Sequence, residues 1–158
     1  MTASRSRLLE SSDETEALGE SLAVHVREGD VLVLSGPLGA GKTRLVAGLA
    51  RGLGVAARVR SPTFTLIGEY HGRVMLAHVD LYRLPAPVDP VPLGLDEYRE
   101  RGVLAIEWGE KLPAGWPGDA VRITLAITGE TTRDARIEGD GPRARALVEA
   151  WSASGAHS

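Results

Sequence analysis

One stretch constrains this chain more than any other. Gly36-Pro37-Leu38-Gly39-Ala40-Gly41-Lys42-Thr43 closely follows the apolar run Val31-Leu32-Val33-Leu34. It matches G-x-x-x-x-G-K-[ST] in the strand–loop–helix setting that such a loop requires. Behind it Leu45, Val46, Leu49, Ala50 and Leu53 recur at helical spacing. The glycines tolerate dihedrals that a Cβ forbids, so the backbone can wrap an anion. The loop amides and the helix N-terminus then face phosphate. Lys42 supplies a compact positive charge near the β- and γ-phosphates, and the Thr43 hydroxyl suits Mg²⁺. The expected nucleotide contacts in this stretch are Gly36, Gly39, Ala40, Gly41, Lys42, Thr43 and Arg44. The competing reading is a glycine-rich turn with no ligand. Against it, 16 of the 18 basic residues are Arg, and only Lys42 and Lys111 are Lys. Arg is a wide fork and Lys a point charge, so a lysine in the loop reads as a choice of shape.

At 158 residues the chain is expected to form one domain, 1–158, with 152–158 frayed. No run reaches membrane-spanning length, and residues 1–20 lack the apolar region of a secretory signal. The absence of cysteine excludes disulfides and thiolate metal sites and fits a cytoplasmic protein. A net charge of −3 argues against a broad surface for gripping nucleic acid unaided. Arg51, Arg58 and Arg60 form either a local basic patch or a solvated loop. The chain contains no Asn and no Gln. A Ras-like nucleotidase orients its attacking water with Gln, and an Asn-Lys-x-Asp guanine motif is impossible here. ATP is the expected nucleotide by exclusion.

The predicted fold class is α/β, P-loop NTPase-like: a mixed sheet with a parallel core and added antiparallel strands, flanked by helices. Arg5–Glu10 is expected as an edge strand. Ser11-Ser12-Asp13-Glu14 should cap a helix whose apolar face carries Ala17, Leu18, Leu22 and Val26. His25 lies beside that face, as a packed rather than a functional histidine. Thr65–Tyr70 and Val74–Val79 are expected to form a hairpin around His71-Gly72. Pro85–Pro92 reads as an irregular loop and Leu95–Arg101 as a short helix. Val103–Ile106 reads as a buried parallel strand. Val121–Ile127 alternates like an antiparallel strand with one buried face, with Arg133–Ile137 pairing back. Pro142 starts the last helix.

Two acids end apolar strands: Asp80 after Met75–Val79, and Glu107 after Val103–Ile106. Ligands of open parallel sheets lie beyond the carboxyl ends of strands, so both acids can reach one site. One would bind metal directly or through water, and the other would place water or a supporting group. The alternative for either acid alone is a cap or a salt-bridge partner. Ser61-Pro62-Thr63 fits either a turn before a strand or a switch whose threonine senses the γ-phosphate. Tyr82 and Trp108, just after the acids, suit packing or the site.

Four blocks in order carry a family resemblance: the loop 36–43; Ser61-Pro62-Thr63-Phe64-Thr65; His78-Val79-Asp80-Leu81-Tyr82-Arg83-Leu84; and Ile106-Glu107-Trp108. Together they resemble the TsaE (YjeE) family, the small P-loop ATPase of bacterial tRNA threonylcarbamoyladenosine synthesis. The likeness implies ATP/ADP and Mg²⁺ as cofactors, with Lys42 and Thr43 on phosphate and metal. It implies a switch at Ser61, Thr63 and Thr65, a second at Asp80 with Tyr82 and Arg83, Glu107 toward Mg²⁺, and Trp108 near the nucleotide. It also implies pocket contributions near Ser12 and Arg133. The implied partners are TsaB and TsaD, with tRNA met only through the complex and no membrane. TsaD would transfer the threonylcarbamoyl group, and ATP turnover by this subunit would reset the complex. Two departures stand out: Gly109 where many members carry Pro, expected to loosen that turn, and the proline-rich 85–92 segment in place of an acidic one. Two rivals remain: a small-molecule kinase with Arg99 and Arg101 as lid arginines, and a nucleotide-gated interaction module.

Overall fold

Seven strands form one sheet in the order β1-β7-β6-β2-β5-β4-β3. They are β1 (Ala3–Leu9), β2 (Val31–Ser35), β3 (Ile67–His71), β4 (Met75–Asp80), β5 (Gly102–Glu107), β6 (Val121–Ile127) and β7 (Arg133–Gly139). Four helices accompany them: α1 (Ser12–Ala23), α2 (Lys42–Gly52), α3 (Leu95–Arg101) and α4 (Pro142–Ala153). The computed structural model describes residues 2–62 and 65–154; the switch reading of Thr63 therefore lies outside the described residues.

The centre of the sheet is parallel: β2 pairs with β5 and with β6, and β5 with β4. β3, β7 and β1 add antiparallel edges. β2, β4 and β5 are apolar and mostly buried, as strands covered on both faces must be. One face carries α1, α2 and α4 over a core that includes Leu22, Leu34, Leu49, Leu147 and Trp151. The other face packs Val31, Val33, Val79, Leu104 and Ile106 against Leu81, Val88 and Leu95.

Ser11 caps α1 by accepting from the Glu14 N–H at 3.2 Å, while Glu14 accepts from the Glu10 N–H at 3.0 Å. The side-chain cap fixes where α1 begins. α1 then lies flat on α2, because Gly48 leaves no Cβ to strike the Glu16 carbonyl. The start of α1 is thereby held beside the loop that opens α2.

Three expectations change. β6 is not purely antiparallel: it runs parallel to β2 and antiparallel only to β7. The first hairpin strand starts at Ile67 rather than Thr65, after Leu66 turns with φ 65°. Of the tail expected to fray, 155–158 lie outside the described residues, and 152–154 are ordered. Ser152 and Ala153 belong to α4; Ser152 Oγ accepts from Arg5 Nε at 2.9 Å, and Ser154 caps the helix while its Oγ meets His25 Nε2 at 3.3 Å.

Candidate functional site

The loop leaves β2 at the carboxyl end of the parallel strands and enters α2 at Lys42. Gly36, Gly39 and Gly41 all take positive φ (147°, 81° and 107°), which Cβ-bearing residues resist. The Lys42 side chain folds back over the loop. Its Nζ donates to the carbonyls of Gly36 (2.5 Å) and Pro37 (3.0 Å) and lies 4.1 Å from the Trp108 ring centroid. Lys42 is only 4 % exposed. Burial pushes its ammonium below the ordinary lysine value, and the nearby Glu110, Glu107 and Asp80 carboxylates offset part of that fall.

Asp80 and Glu107 are register partners at the ends of β4 and β5, so both project on the face that carries α2. Thr43 Oγ1 donates to Glu107 Oε2 at 2.7 Å. Asp80 uses both oxygens: Oδ2 accepts from Ser61 Oγ at 2.9 Å and Oδ1 from the Tyr82 N–H at 3.0 Å. Thr43, Asp80 and Glu107 together present hard oxygen donors. Among the described residues no cluster of three or more His, Cys, Asp or Glu side chains is disposed to hold an ion. Two carboxylates and a hydroxyl, together with substrate phosphates, are a donor set that Mg²⁺ could take.

A cavity of about 430 Å³ joins these groups. Gly39, Ala40, Gly41, Lys42, Thr43 and Arg44 line it from the loop and α2. Ser61, Asp80, Tyr82, Arg83, Glu107 and Trp108 line the rest. The Tyr82 and Trp108 rings sit 5.1 Å apart at the rim. Trp108 holds φ 61°, and the next residue opens a single 3₁₀ turn, Gly109–Lys111. The departure at Gly109 does not loosen this turn: a Cβ there would overlap the Val33 side chain, so the glycine seats the turn tightly on β2.

A second cavity of about 260 Å³ lies against the same loop, lined by Ser11, Ser12 and Thr15 of α1 and by Glu130, Thr131 and Arg133 of the β6–β7 hairpin. Arg133 Nη2 donates to the Gly39 carbonyl at 3.2 Å. Ser12 and Arg133, distant in sequence, line one cavity beside the loop. Thr65 does not join either cavity; its hydroxyl turns to the Ile67 carbonyl at 3.2 Å. Arg99 and Arg101 are also elsewhere. Arg99 donates to the carbonyls of Gly29 and Asp119, and Arg101 pairs with Glu69, all around the start rather than the end of β5. Of the basic trio, Arg51 is ion-paired with Glu16, while Arg58 and Arg60 are exposed.

Three residues of the site went unassigned in the sequence. His78 Nε2 donates to Glu107 Oε2 at 2.6 Å. Glu110 Oε2 accepts from the Gly36 N–H at 3.3 Å. Lys111 Nζ donates to the carbonyls of Tyr82 (2.6 Å) and Leu84 (2.8 Å). A signal for His78 existed, since in a strand the residue two before Asp80 must share its face.

This is an α/β protein whose central parallel strand turns through a glycine-rich loop into a helix, with two carboxylates from the ends of the parallel strands β5 and β4 facing the helix start. Comparison with known proteins narrows the class. The family described as "Threonylcarbamoyl adenosine biosynthesis protein TsaE" matches residues 9–136. The chain is 41% identical over 128 residues to the tRNA threonylcarbamoyladenosine biosynthesis protein TsaE of Treponema pallidum, covering 80% of this chain and 95% of that one. It is 39% identical over 142 residues to the Bacillus subtilis TsaE, covering 89% of each. The crystal structure of Bacillus subtilis YdiB superposes with a TM-score of 0.81 at 34% identity, covering 98% of this chain and 97% of that one. The chain belongs to the TsaE family of tRNA threonylcarbamoyladenosine biosynthesis proteins.

Proposed function

We propose that the chain is a Mg²⁺-dependent ATPase subunit of this tRNA modification system, working in the cytoplasm with TsaB and TsaD and meeting tRNA through that complex. The observation that carries the reading is the convergence of Lys42, Thr43, Asp80 and Glu107 on one cavity beside the glycine loop.

The reaction is attack of water on the γ-phosphorus of ATP, with cleavage of the β–γ bridging P–O bond to release ADP and inorganic phosphate. The loop amides and Lys42 neutralise charge on the phosphate oxygens. Lys42 must first exchange its two loop carbonyls for phosphate oxygens, a swing its unbranched stem allows. Thr43, with Glu107 and Asp80, would hold Mg²⁺, which when bound neutralises charge across the β- and γ-phosphates. Ser61 and the Tyr82 N–H hold Asp80 by both oxygens, so a change at either segment reaches the carboxylate. With no Gln in the chain, water placement falls to Glu107, Asp80, a switch amide or a partner's group. Turnover by the chain alone is therefore slow, and site completion by a partner raises it by about 10³–10⁵, as an arginine finger does. The placement of Arg99 and Arg101 away from the cavity weighs against the kinase alternative. Phosphate release from Mg·ATP, measured with and without TsaB and TsaD, tests the reading; equal rates would remove the partner-stimulated part of it.

A further inference from the structure

His78 is a buried polar side chain that the proposed mechanism leaves unused. It is 0 % exposed, in the middle of β4, where an imidazole needs a reason to be. Its register neighbours are Gly68 on β3, over which the Tyr70 ring lies, and Ala105 on β5, whose lone methyl leaves room for a ring on that face. The ring reaches along the sheet to Glu107, two residues beyond Ala105, with Nε2 2.6 Å from Oε2. The same Oε2 accepts from Thr43 Oγ1 at 2.7 Å. Among the described residues Nδ1 has no partner, so the ring's one hydrogen bond is the one to Glu107.

We propose that His78 is a positioning residue for Glu107. With two donors converging on Oε2, the carboxyl group is fixed in rotation, and Oε1, which accepts from no described residue, is kept for the metal or its water. This rests on the proposed ATPase reading but adds a residue and a function to it. Donors to metal-ligating carboxylates generally act this way, and their loss costs about 10- to 100-fold in metal affinity or activity. His78 touches no reacting atom. Its effect is confined to steps that need Glu107 in place.

The test compares His78→Leu, which keeps bulk and removes the donor, with His78→Gln, whose amide nitrogen reaches where Nε2 stands. Mn²⁺ affinity in the presence of ADP is read by electron paramagnetic resonance, ADP affinity without metal by calorimetry, and turnover by phosphate release. His78→Leu is expected to weaken Mn²⁺ binding and lower kcat by about 10-fold or more, with metal-free ADP affinity unchanged. His78→Gln is expected to recover most of both. If His78→Leu does not fold, His78→Asn replaces it, because its shorter amide cannot reach Oε2. Wild-type Mn²⁺ affinity in every variant overturns the proposal, as does a loss that Gln fails to recover. Failure of the wild-type protein to bind metal–nucleotide at all would instead remove the ATPase reading beneath it.

Discussion

Thr43, the second residue of α2, donates to Glu107, the last residue of β5, at 2.7 Å across 64 positions of sequence. The two groups expected to share Mg²⁺ are therefore already in contact through Glu107 Oε2. The hydroxyl that donates to Glu107 keeps its lone pairs for a metal, so binding would need neither this bond to open nor the strands to move. Thr43→Val removes the hydroxyl at nearly constant volume. Charge-assisted hydrogen bonds are worth about 1.5–3 kcal/mol, so Mg²⁺-dependent nucleotide affinity should fall about 10-fold or more, while metal-free affinity changes little. Calorimetry with and without Mg²⁺ separates the two.

Lys42→Ala removes the ammonium and should weaken nucleotide binding by about 1.5–3 kcal/mol for each charge-assisted bond lost. The pH dependence has a defined sign. Burial holds the free Lys42 below its ordinary value, and phosphate favours the charged form. The complex therefore binds more protons than the free protein wherever free Lys42 is losing its own. In alkaline solution, nucleotide binding should take up protons, and affinity should fall as pH rises. Calorimetric titrations in buffers of different ionisation enthalpy read the uptake, which Lys42→Ala should abolish.

Lys111 ties the segment after Asp80 to the turn after Glu107 through the Tyr82 and Leu84 carbonyls. Its own carbonyl accepts from the Val88 N–H at 2.8 Å. Lys111→Met keeps the stem and deletes the donor. Tyr82 and Trp108 should lose their fixed contact, changing the tryptophan emission of the free protein, and KM for Mg·ATP should rise while the fold persists. Circular dichroism confirms the last point.

At the other end of β2, Asp30 is 4 % exposed and is gripped by Arg143 through Nε (3.0 Å) and Nη2 (2.9 Å). Arg143→Met strands a buried carboxylate. Breaking such pairs from one side costs about 3–5 kcal/mol, so the urea midpoint should drop sharply. Asp30 precedes β2 and the glycine loop follows it, so nucleotide affinity of the folded fraction should be nearly unchanged.

The strand–loop–helix unit and the two acids were legible because each is local: an apolar run, a fixed glycine spacing, a charge at a strand end. The placing of Ser12 and Arg133 beside the loop followed only from the family resemblance, since no local pattern links α1 to the β6–β7 hairpin. The direction of β6 was not legible. Alternation of Val121, Ile123 and Leu125 reports one buried face and says nothing about whether the neighbour runs parallel. The order of residues 152–154 was hidden for a related reason. Ser152-Ala153-Ser154 is small and polar, yet Trp151 is fully buried and Arg5 and His25 reach Ser152 and Ser154 from elsewhere in the chain. His78 was missed because its partner, Glu107, lies on another strand, and only the register of β4 with β5 brings them together.

The central claim is that the loop 36–43, Lys42 and the two strand-end acids take up Mg·ATP. Isothermal titration of the purified full chain with ATP in Mg²⁺ tests it most directly. A saturable heat at one site per chain, weakened in Lys42→Ala, is the predicted result. No heat with ATP, or an equal heat in Lys42→Ala, would contradict it.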